Sequence, residues 1–260
     1  MSNALIGYTG FVGSNIVDKI EFDFLYNSKN AEEMKGRSFD LVVCAGMPAV
    51  KWYANKFPNE DTNSLDRLIK CLQHVNAKKF VLISTVDVYS NPYGVTELDS
   101  PARSGLHPYG LNRLLLEDFV SYSFDDYHIM RLPGLFGPGL KKNIIYDLKN
   151  RKGIENITPN SVLQWYPISR LAKDINSIIT SSINLINVSP EPTPTDELVK
   201  KLYPTICLSE PRNDAVRYDM RTIYAELFGG SGVYHLNKAE VASSLMQYIS
   251  LDRFDEVRDL

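Results

Sequence analysis

Residues 4–15 read Ala4-Leu5-Ile6-Gly7-Tyr8-Thr9-Gly10-Phe11-Val12-Gly13-Ser14-Asn15. The apolar start of this stretch predicts a β-strand, and the apolar spacing after the third glycine predicts a helix. A helix in this place directs its unpaired N–H groups and the positive end of its dipole at the turn, where a pyrophosphate can bind. Glycine lets phosphates approach the main chain closely. The stretch therefore predicts a nucleotide site. The spacing differs from G-x-G-x-x-G, and an ordinary strand-to-helix turn stays open as the alternative.

The bulk composition is that of an ordinary globular protein with one large domain or a domain and a small lobe. The chain has 260 residues, 44% hydrophobic and 23% charged, with a formal net charge of −3. It therefore lacks the basic field that holds nucleic acid or an anionic membrane. No apolar run approaches the roughly 18–20 residues of a membrane span. We expect no signal peptide, because the apolar run of the first predicted strand starts at once, and the cysteines and histidines are scattered. We expect a cytoplasmic protein without a metal site.

Apolar runs alternate with longer amphipathic segments as far as about residue 135, and the pattern then loosens. This alternation predicts an α/β fold with a doubly wound parallel sheet, whose ligands bind beyond the carboxyl ends of the strands. We expect a dinucleotide-binding domain from 1–137 plus 169–189, and a smaller substrate lobe with a closing helix from 138–168 plus 190–260. After the opening strand and helix, the predicted strands cover 22–26, 40–45, 79–84, 127–132 and 182–189, and the predicted helices cover 59–76, 108–122 and 239–248.

Three further segments follow predicted strand ends or open the next helix. They read Ser84-Thr85-Val86-Asp87-Val88-Tyr89, Pro108-Tyr109-Gly110-Leu111-Asn112-Arg113 and Arg131-Leu132-Pro133-Gly134-Leu135-Phe136-Gly137-Pro138-Gly139. Together with the glycine turn, they resemble the NAD(P)-dependent epimerase/dehydratase family of extended short-chain dehydrogenases/reductases over nearly the whole chain. The resemblance implies a Rossmann-type sheet and an enzyme of nucleotide-sugar metabolism.

The resemblance also assigns roles to the catalytic candidates. In that family a tyrosine moves the proton at the sugar carbon that is oxidised or reduced, which makes Tyr109 the acid/base and Thr85 its hydroxyl partner. Asp87 is a further catalytic candidate, and its alternative role is to cap the next turn. Dehydratases of the family carry their acid directly after the threonine. This chain has Val86 there, which weakens a 4,6-dehydratase assignment.

Arg113 departs from the family, which has a lysine four residues after the tyrosine. That lysine holds the nicotinamide ribose and lowers the tyrosine pKa, because a phenol titrates near 10 and needs nearby positive charge to act as a base near pH 7. Arginine keeps the charge but spreads it over a planar fork. Arg113 shares a helix face with Tyr109. It is compatible with an active enzyme and also with one whose redox activity is weak or lost. The alternative is that Tyr109 and Arg113 are ordinary surface residues of a helix, which the sequence would favour without the glycine turn.

The predicted cofactor is NADP or NAD. In NAD-preferring relatives an acid ends the second strand. Tyr26 stands there in this chain, so no carboxylate repels a 2′-phosphate and we favour NADP. Two assignments have alternatives, since Lys29 also fits a solvated loop and Cys44 a small packing residue. The predicted cofactor-binding residues are Gly7, Thr9, Gly10, Phe11, Val12, Gly13, Asn27, Ser28, Lys29, Cys44, Ala45, Gly46, Tyr109, Arg113, Pro133 and Leu135.

The substrate residues are expected in the second lobe. Asn143 is predicted near a substrate diphosphate, or alternatively in a basic turn that starts a helix at Ile144. Gln164 stands where relatives often carry a phosphate-binding arginine. The leading hypothesis is hydride transfer on a nucleotide-activated sugar, with polysaccharide synthesis as its setting. Gln164 motivates one alternative, a reductase of a small carbonyl without a nucleotide. Arg113 motivates another, a non-catalytic dinucleotide-binding regulatory protein.

The resemblance also bears on partners. Many relatives form a homodimer through two helices that include the tyrosine helix, which makes a homodimer one candidate assembly here and leaves the oligomeric state open. The apolar residues that would serve both core and interface are Leu68, Leu72, Leu114, Leu115 and Phe119.

Overall fold

Strands and helices alternate through the first half of the chain, in a computed structural model that describes residues 2–258. The strands are β1 (Asn3–Ile6), β2 (Phe24–Tyr26), β3 (Ser38–Cys44), β4 (Asn76–Thr85), β5 (Tyr93–Val95), β6 (Tyr127–Leu132), β7 (Gly134–Phe136), β8 (Val162–Leu163), β9 (Trp165–Pro167), β10 (Leu185–Asn187), β11 (Thr193–Pro194) and β12 (Asp219–Met220). The helices are α1 (Phe11–Ile16), α2 (Lys51–Lys56), α3 (Pro58–Leu72), α4 (Pro108–Ser123), α5 (Ile144–Asn150), α6 (Leu171–Ile178), α7 (Thr195–Leu202) and α8 (Lys238–Arg258).

The chain divides into two compact units. The first contains the residues up to Asn91, Glu97–Leu132 and Ser169–Asn187, and the second contains Pro92–Thr96, Pro133–Ile168 and the residues from Val188 onward. The assignment of cofactor binding to one domain and substrate binding to the other stays a prediction.

The first unit is built on a parallel sheet. Within residues 2–258, six strands pair in the order β10-β6-β4-β3-β1-β2, all in parallel. This confirms the predicted doubly wound, Rossmann-type α/β fold. The strand order reverses at β1, which has β2 on one side and β3 on the other. Ligands of such sheets bind in the crevice beyond the carboxyl ends at the reversal. The segments that follow β1 and β3 are therefore the expected walls of a binding site.

Both faces of the sheet are buried. Successive strand residues point to opposite sides, so neighbouring buried residues show that each face is covered. On one face, Val42 and Phe80 join a cluster with Leu68 of α3 and Val120 of α4. On the other face, Val43 is also fully buried. Such double coverage explains why the strands read as nearly continuous apolar runs rather than alternating ones.

A buried ion pair joins α4 to the sheet. The Nη2 atom of Arg131 on β6 lies 2.6 Å from Oε2 of Glu117 on α4, and both side chains are 4% exposed. Ser84 also donates to Glu117, and the Nη1 atom of Arg131 donates to the Tyr89 hydroxyl at 2.6 Å. Buried charges persist only when each has partners of this kind. The network therefore fixes how α4 lies on the sheet, which in turn positions the residues near the start of that helix.

The structure differs from the prediction at helix ends and in helices that were not predicted. The predicted helix 59–76 ends at Leu72, because the chain turns into β4, whose first residue Asn76 donates its N–H to the Arg37 carbonyl at 3.0 Å. The closing helix runs past Tyr248 to Arg258. Helices α2, α6 and α7 were not predicted. Helix α2 has six residues, too few to show an apolar period.

The second unit contains three small strand pairs among its described residues. β7 pairs with β9 and β5 with β12 in parallel, and β8 pairs with β11 in antiparallel. Across residues 2–258, no helix is both long enough and apolar enough to cross a bilayer.

The residues expected at a dimer interface differ in exposure. Leu68, Leu72 and Leu114 are buried within the first unit, whereas Leu115 is 37% exposed. The homodimer stays a prediction.

Candidate active site

The glycine turn packs tightly at the point where the strand order reverses. Gly7 follows β1 with a φ of +89°, and a Cβ atom there would lie 2.3 Å from the Ala45 carbonyl oxygen beyond β3. A Cβ atom on Gly13 would lie 2.2 Å from the Gly7 carbonyl oxygen. At Gly10 the nearest atom would be 3.3 Å away. Backbone packing therefore requires the first and third glycines, whereas the second lies on the exposed side of the turn.

The N-terminus of α1 suits the phosphates of a dinucleotide. Gly10 is its N-cap, and no side chain among the described residues hydrogen-bonds to this cap. Thr9 and Gly10 are exposed, and Phe11 and Val12 are half-buried. Helix N-termini without a side-chain cap carry unpaired N–H groups and partial positive charge, which favour an anion. The residues present therefore fit the pyrophosphate that the resemblance implies.

The end of β3 forms the other side of this turn. Ala45 and Gly46 are half-buried, whereas Cys44 within the strand is fully buried. Burial raises the pKa of the Cys44 thiol to about 11. The thiol is therefore protonated near neutral pH and acts as a packing group.

The residues that follow β2 form a turn that uses one of the predicted cofactor-binding side chains. The Asn27 side-chain oxygen accepts the Lys29 N–H at 2.8 Å, while Ser28 and Lys29 are exposed. Tyr26, in the position of the acid of NAD-preferring relatives, is buried against Phe39 with ring centroids 6.2 Å apart. Strand β2 thus ends without a carboxylate. The preference for NADP stays a prediction.

Helix α4 brings the catalytic candidates together. Its first N–H groups are capped from outside the helix. The Tyr109 N–H donates to the Asn55 side chain, and the Gly110 N–H donates to the His107 ring, both at 3.0 Å. These caps place Tyr109, 8% exposed, beside the end of β4, where the Thr85 hydroxyl hydrogen-bonds to it. The sequence prediction of Tyr109 had no signal for either cap.

Burial dominates the protonation of Tyr109. Desolvation raises its pKa above the ordinary value, and the nearby Asp87 carboxylate raises it further. Arg113, the Thr85 hydrogen bond and Lys51 act in the opposite direction, but the pKa remains raised. Tyr109 therefore holds its proton near neutral pH, as a proton donor would.

Arg113 is held in a buried clamp, which consists of the Asp61 carboxylate and the Pro48 and Tyr109 carbonyls. The sequence did not predict this clamp. Its guanidinium carbon lies 3.8 Å from the centre of the Tyr109 ring. Its nitrogens pair with Asp61 on α3 and donate to the Pro48 carbonyl, and Nη1 also donates to the Tyr109 carbonyl at 3.1 Å. The Arg113 and Asp61 side chains are 5% and 3% exposed. Asp61 follows Pro58 in the first turn of α3, where an acidic residue reads as an ordinary complement to the helix dipole.

A second ion pair lies beside the tyrosine. The Nζ atom of Lys51, at the start of α2, lies 2.7 Å from Oδ1 of Asp87. Asp87 donates its N–H to the Thr85 hydroxyl at 3.2 Å, which closes a turn after β4. Asp87 therefore has a local structural role and a cationic partner. Lys51 was not predicted, because a single lysine in a short helix carries no sequence signal.

The remaining predicted residues lie in the second unit. Pro133 is buried and Leu135 half-buried. The Asn143 oxygen accepts the N–H groups of Ile145 and Tyr146 at 3.0 and 3.2 Å as the N-cap of α5, and its nitrogen donates to the Leu135 carbonyl at 2.8 Å. This is the helix start that was the alternative for Asn143. Contact with a substrate stays a prediction.

Gln164 is 2% exposed and makes three hydrogen bonds to the backbone. Its nitrogen donates to the Pro190 and Met220 carbonyls at 2.6 and 2.7 Å, and its oxygen accepts the Met220 N–H at 2.8 Å. These bonds tie together distant parts of the second unit. A substrate contact by Gln164 stays a prediction. Among the described residues, no group of three or more histidine, cysteine, aspartate or glutamate side chains is placed to hold a metal ion.

The different packing of the glycines leads to a testable difference. Gly13→Ala is expected to destabilise the protein by about 1–3 kcal/mol, because its Cβ would overlap a backbone oxygen that cannot rotate away. Gly10→Ala is the matched control and is expected to cost less than about 1 kcal/mol. Urea unfolding measures both. Equal losses for the two variants would contradict the packing argument.

A comparison with protein families finds one match. Residues 19–158, just over half of the chain, match the NAD dependent epimerase/dehydratase family. The matched region begins after the glycine turn, so it supports the resemblance independently of that motif. No curated protein sequence matches the chain.

Solved structures share the fold at low sequence identity. UDP-glucose 4-epimerase from Thermotoga maritima, with UDP-glucose, has 16% identity and a TM-score of 0.75, over 98% of this chain and 99% of that one. UDP-N-acetylglucosamine 4-epimerase from Methanobrevibacter ruminantium has 16% identity and a TM-score of 0.74, over 96% and 97%. The dTDP-4-dehydrorhamnose reductase from Bacillus anthracis, in complex with NADP, has 16% identity and a TM-score of 0.73, over 96% and 99%.

Proposed function

We propose that this chain is an NAD(P)-dependent oxidoreductase or epimerase of a nucleotide-activated sugar. The chain belongs to the NAD dependent epimerase/dehydratase family. The observation that carries the proposal is the buried Tyr109, with the Thr85 hydroxyl beside it and the Arg113 guanidinium over its ring. This arrangement supports a proton-transfer site at the carboxyl end of β4. Tyr109 is the proposed acid/base, and Thr85 is proposed to orient the substrate oxygen that exchanges a proton with Tyr109.

The glycine turn and the end of β3 are the proposed cofactor site. The N–H groups at the start of α1 bind the pyrophosphate, with Gly10 on the exposed side of the turn. The bound nicotinamide supplies the acceptor or donor of the hydride. We propose NADP over NAD, because the exposed Ser28 and Lys29 can bind a 2′-phosphate.

The protonated Tyr109 supports one direction of proton movement in particular. Its hydroxyl hydrogen goes to a carbonyl oxygen of the substrate as that carbon is reduced, which leaves a phenolate. The reverse step needs Tyr109 without its proton. The positive charges of Arg113 and Lys51 favour that form and oppose the effect of burial.

The proposed substrate class follows from the family and from the structures that share the fold, since the Thermotoga maritima enzyme holds UDP-glucose. The alternative, a small carbonyl without a nucleotide, draws support from Gln164, whose side chain already bonds to the backbone of its own unit. Asn143 and Gln164 stay proposals as substrate ligands.

Binding measurements test the proposal and separate the alternatives. Calorimetry with oxidised and reduced NAD and NADP is expected to show binding at millimolar or lower concentration, with NADP favoured. In the presence of cofactor, one of the UDP, GDP, dTDP or CDP sugars is expected to raise the melting temperature by several degrees, because a ligand at 100 times its Kd adds about 2.7 kcal/mol. Cofactor binding without any response to nucleotide sugars would favour the small carbonyl. No heat with any dinucleotide would contradict the proposal.

A further inference from the structure

The clamp on Arg113 leaves the site without an adjustable cation at that position. The guanidinium is a rigid fork, and its contacts to Asp61 and to the Pro48 and Tyr109 carbonyls hold it over the tyrosine ring. Turning it toward the reacting oxygen would leave the Asp61 carboxylate buried without its partner. Arg113 therefore contributes a fixed charge, whereas a cation on a flexible side chain can follow the movement of a proton.

Lys51 is placed to be that cation. Its ammonium lies 2.7 Å from the Asp87 carboxylate, and its side chain is 41% exposed, compared with 16% for Asp87. The flexible four-carbon stem carries three donors that can be redirected, whereas the backbone N–H of Asp87 is held by the Thr85 hydroxyl. The pair therefore joins a largely buried carboxylate to a more exposed ammonium on a flexible stem, and both charges act on Tyr109.

The charges around the start of α4 support this placement. Asp87 disfavours the ionised form of Tyr109, and Lys51 favours it. His107, the N-cap of α4, has a lowered pKa, mainly because of burial and next because of Lys51, while Asp87 acts in the opposite direction and Arg113 in the same one as Lys51. The charge of Lys51 therefore reaches both titratable side chains at the start of this helix.

We propose that Lys51, held by Asp87 while Tyr109 is protonated, is the positioning residue that stabilises the Tyr109 phenolate during proton transfer. This inference rests on the proposed function. When Tyr109 gives its proton to the substrate oxygen, the ammonium turns from the carboxylate toward the phenolate, and no bond to Lys51 forms or breaks. When the proton returns to Tyr109, the ammonium returns to Asp87.

The first test reads the charge of Lys51 without any turnover. His107 is titrated by NMR in the ligand-free protein, with its signal assigned by its loss in His107→Asn. Lys51→Gln is expected to raise the midpoint by roughly one pH unit, because it removes a cation and exposes the Asp87 charge. Lys51→Arg keeps the charge and is expected to leave the midpoint near that of the parent. Lys56→Gln, which removes a lysine at the other end of α2, is expected to have no effect. An unchanged midpoint in Lys51→Gln would overturn the proposal.

The second test reads Tyr109 through the pH dependence of kcat/KM. In Lys51→Gln the limb that reports Tyr109 is expected to move to higher pH in both reaction directions, because the phenolate loses a favourable charge. Adding Asp87→Asn to that variant is expected to move the limb back, since the unmasked carboxylate is gone. A merely structural role would lower kcat at every pH without moving the limb, and this result would overturn the proposal. If the parent turns over no nucleotide sugar, the proposed function fails, and the His107 titration still decides where the Lys51 charge acts.

Discussion

Tyr109→Phe is expected to lower kcat by about 10²–10⁴-fold, the usual contribution of a positioned general acid or base. The variant loses only the hydroxyl that would carry the proton. Its ring still lies under the Arg113 guanidinium, 3.8 Å away in the parent, so the start of α4 keeps its packing. We therefore expect the cofactor dissociation constant to stay the same, measured by calorimetry beside the steady-state rates.

The control for this variant is Tyr122→Phe on the same helix, where the tyrosine is 93% exposed and no change in rate is expected. Turnover at the parent rate in Tyr109→Phe would remove this residue from the proposed role. A parent with no turnover, together with an Arg113→Lys variant that gains it, would support the non-catalytic alternative.

Asp61→Asn is expected to destabilise the protein by about 3–5 kcal/mol, because it leaves the Arg113 charge buried without its carboxylate. The Asp61 side chain is 3% exposed and also accepts a hydrogen bond from Asn112 at 2.8 Å. Water therefore cannot replace the lost partner. For a chain of this size the loss corresponds to a fall of roughly 10 °C in melting temperature. Urea unfolding gives the free energy directly.

Two further variants make this result specific to the ion pair. Asp66→Asn changes the same residue type on an exposed position of α3 and is expected to cost less than about 0.5 kcal/mol. Asp61→Asn combined with Arg113→Met is expected to recover part of the loss, because no unpaired charge is then buried. Equal unfolding midpoints for Asp61→Asn and Asp66→Asn would contradict a stabilising role of the clamp.

The parallel sheet could be predicted from the sequence because its strands are buried on both faces. Val42, Val43 and Phe80 belong to unbroken apolar runs, and such runs separated by amphipathic helices have few other solutions. The glycine turn was also predictable, since the close approach of Gly13 to the Gly7 carbonyl excludes any side chain. These signals are local in the sequence, so one chain is enough to read them.

The partners of the catalytic candidates could not be predicted in the same way. Asp61 and Arg113 are 52 positions apart, and Lys51 and Asp87 are 36 apart. The two residues of each pair lie on different elements that the fold brings together, so no spacing in the sequence indicates the pair. Helix α2, which carries Lys51, is too short to show a period. The roles of Tyr109 and Thr85 came from family resemblance, and their catalytic function stays a prediction.

The mutual dependence of Asp61 and Arg113 has a consequence for the evolutionary history of the chain. Exchange of the arginine for the lysine of the wider family changes the shape of the cation that faces the Asp61 carboxylate. Loss of either member alone leaves the charge of the other buried without a partner. We therefore expect selection against intermediates in which only one member is changed. Among close homologues, positions 61 and 113 are expected to covary, with Asp and Arg occurring together or being replaced together.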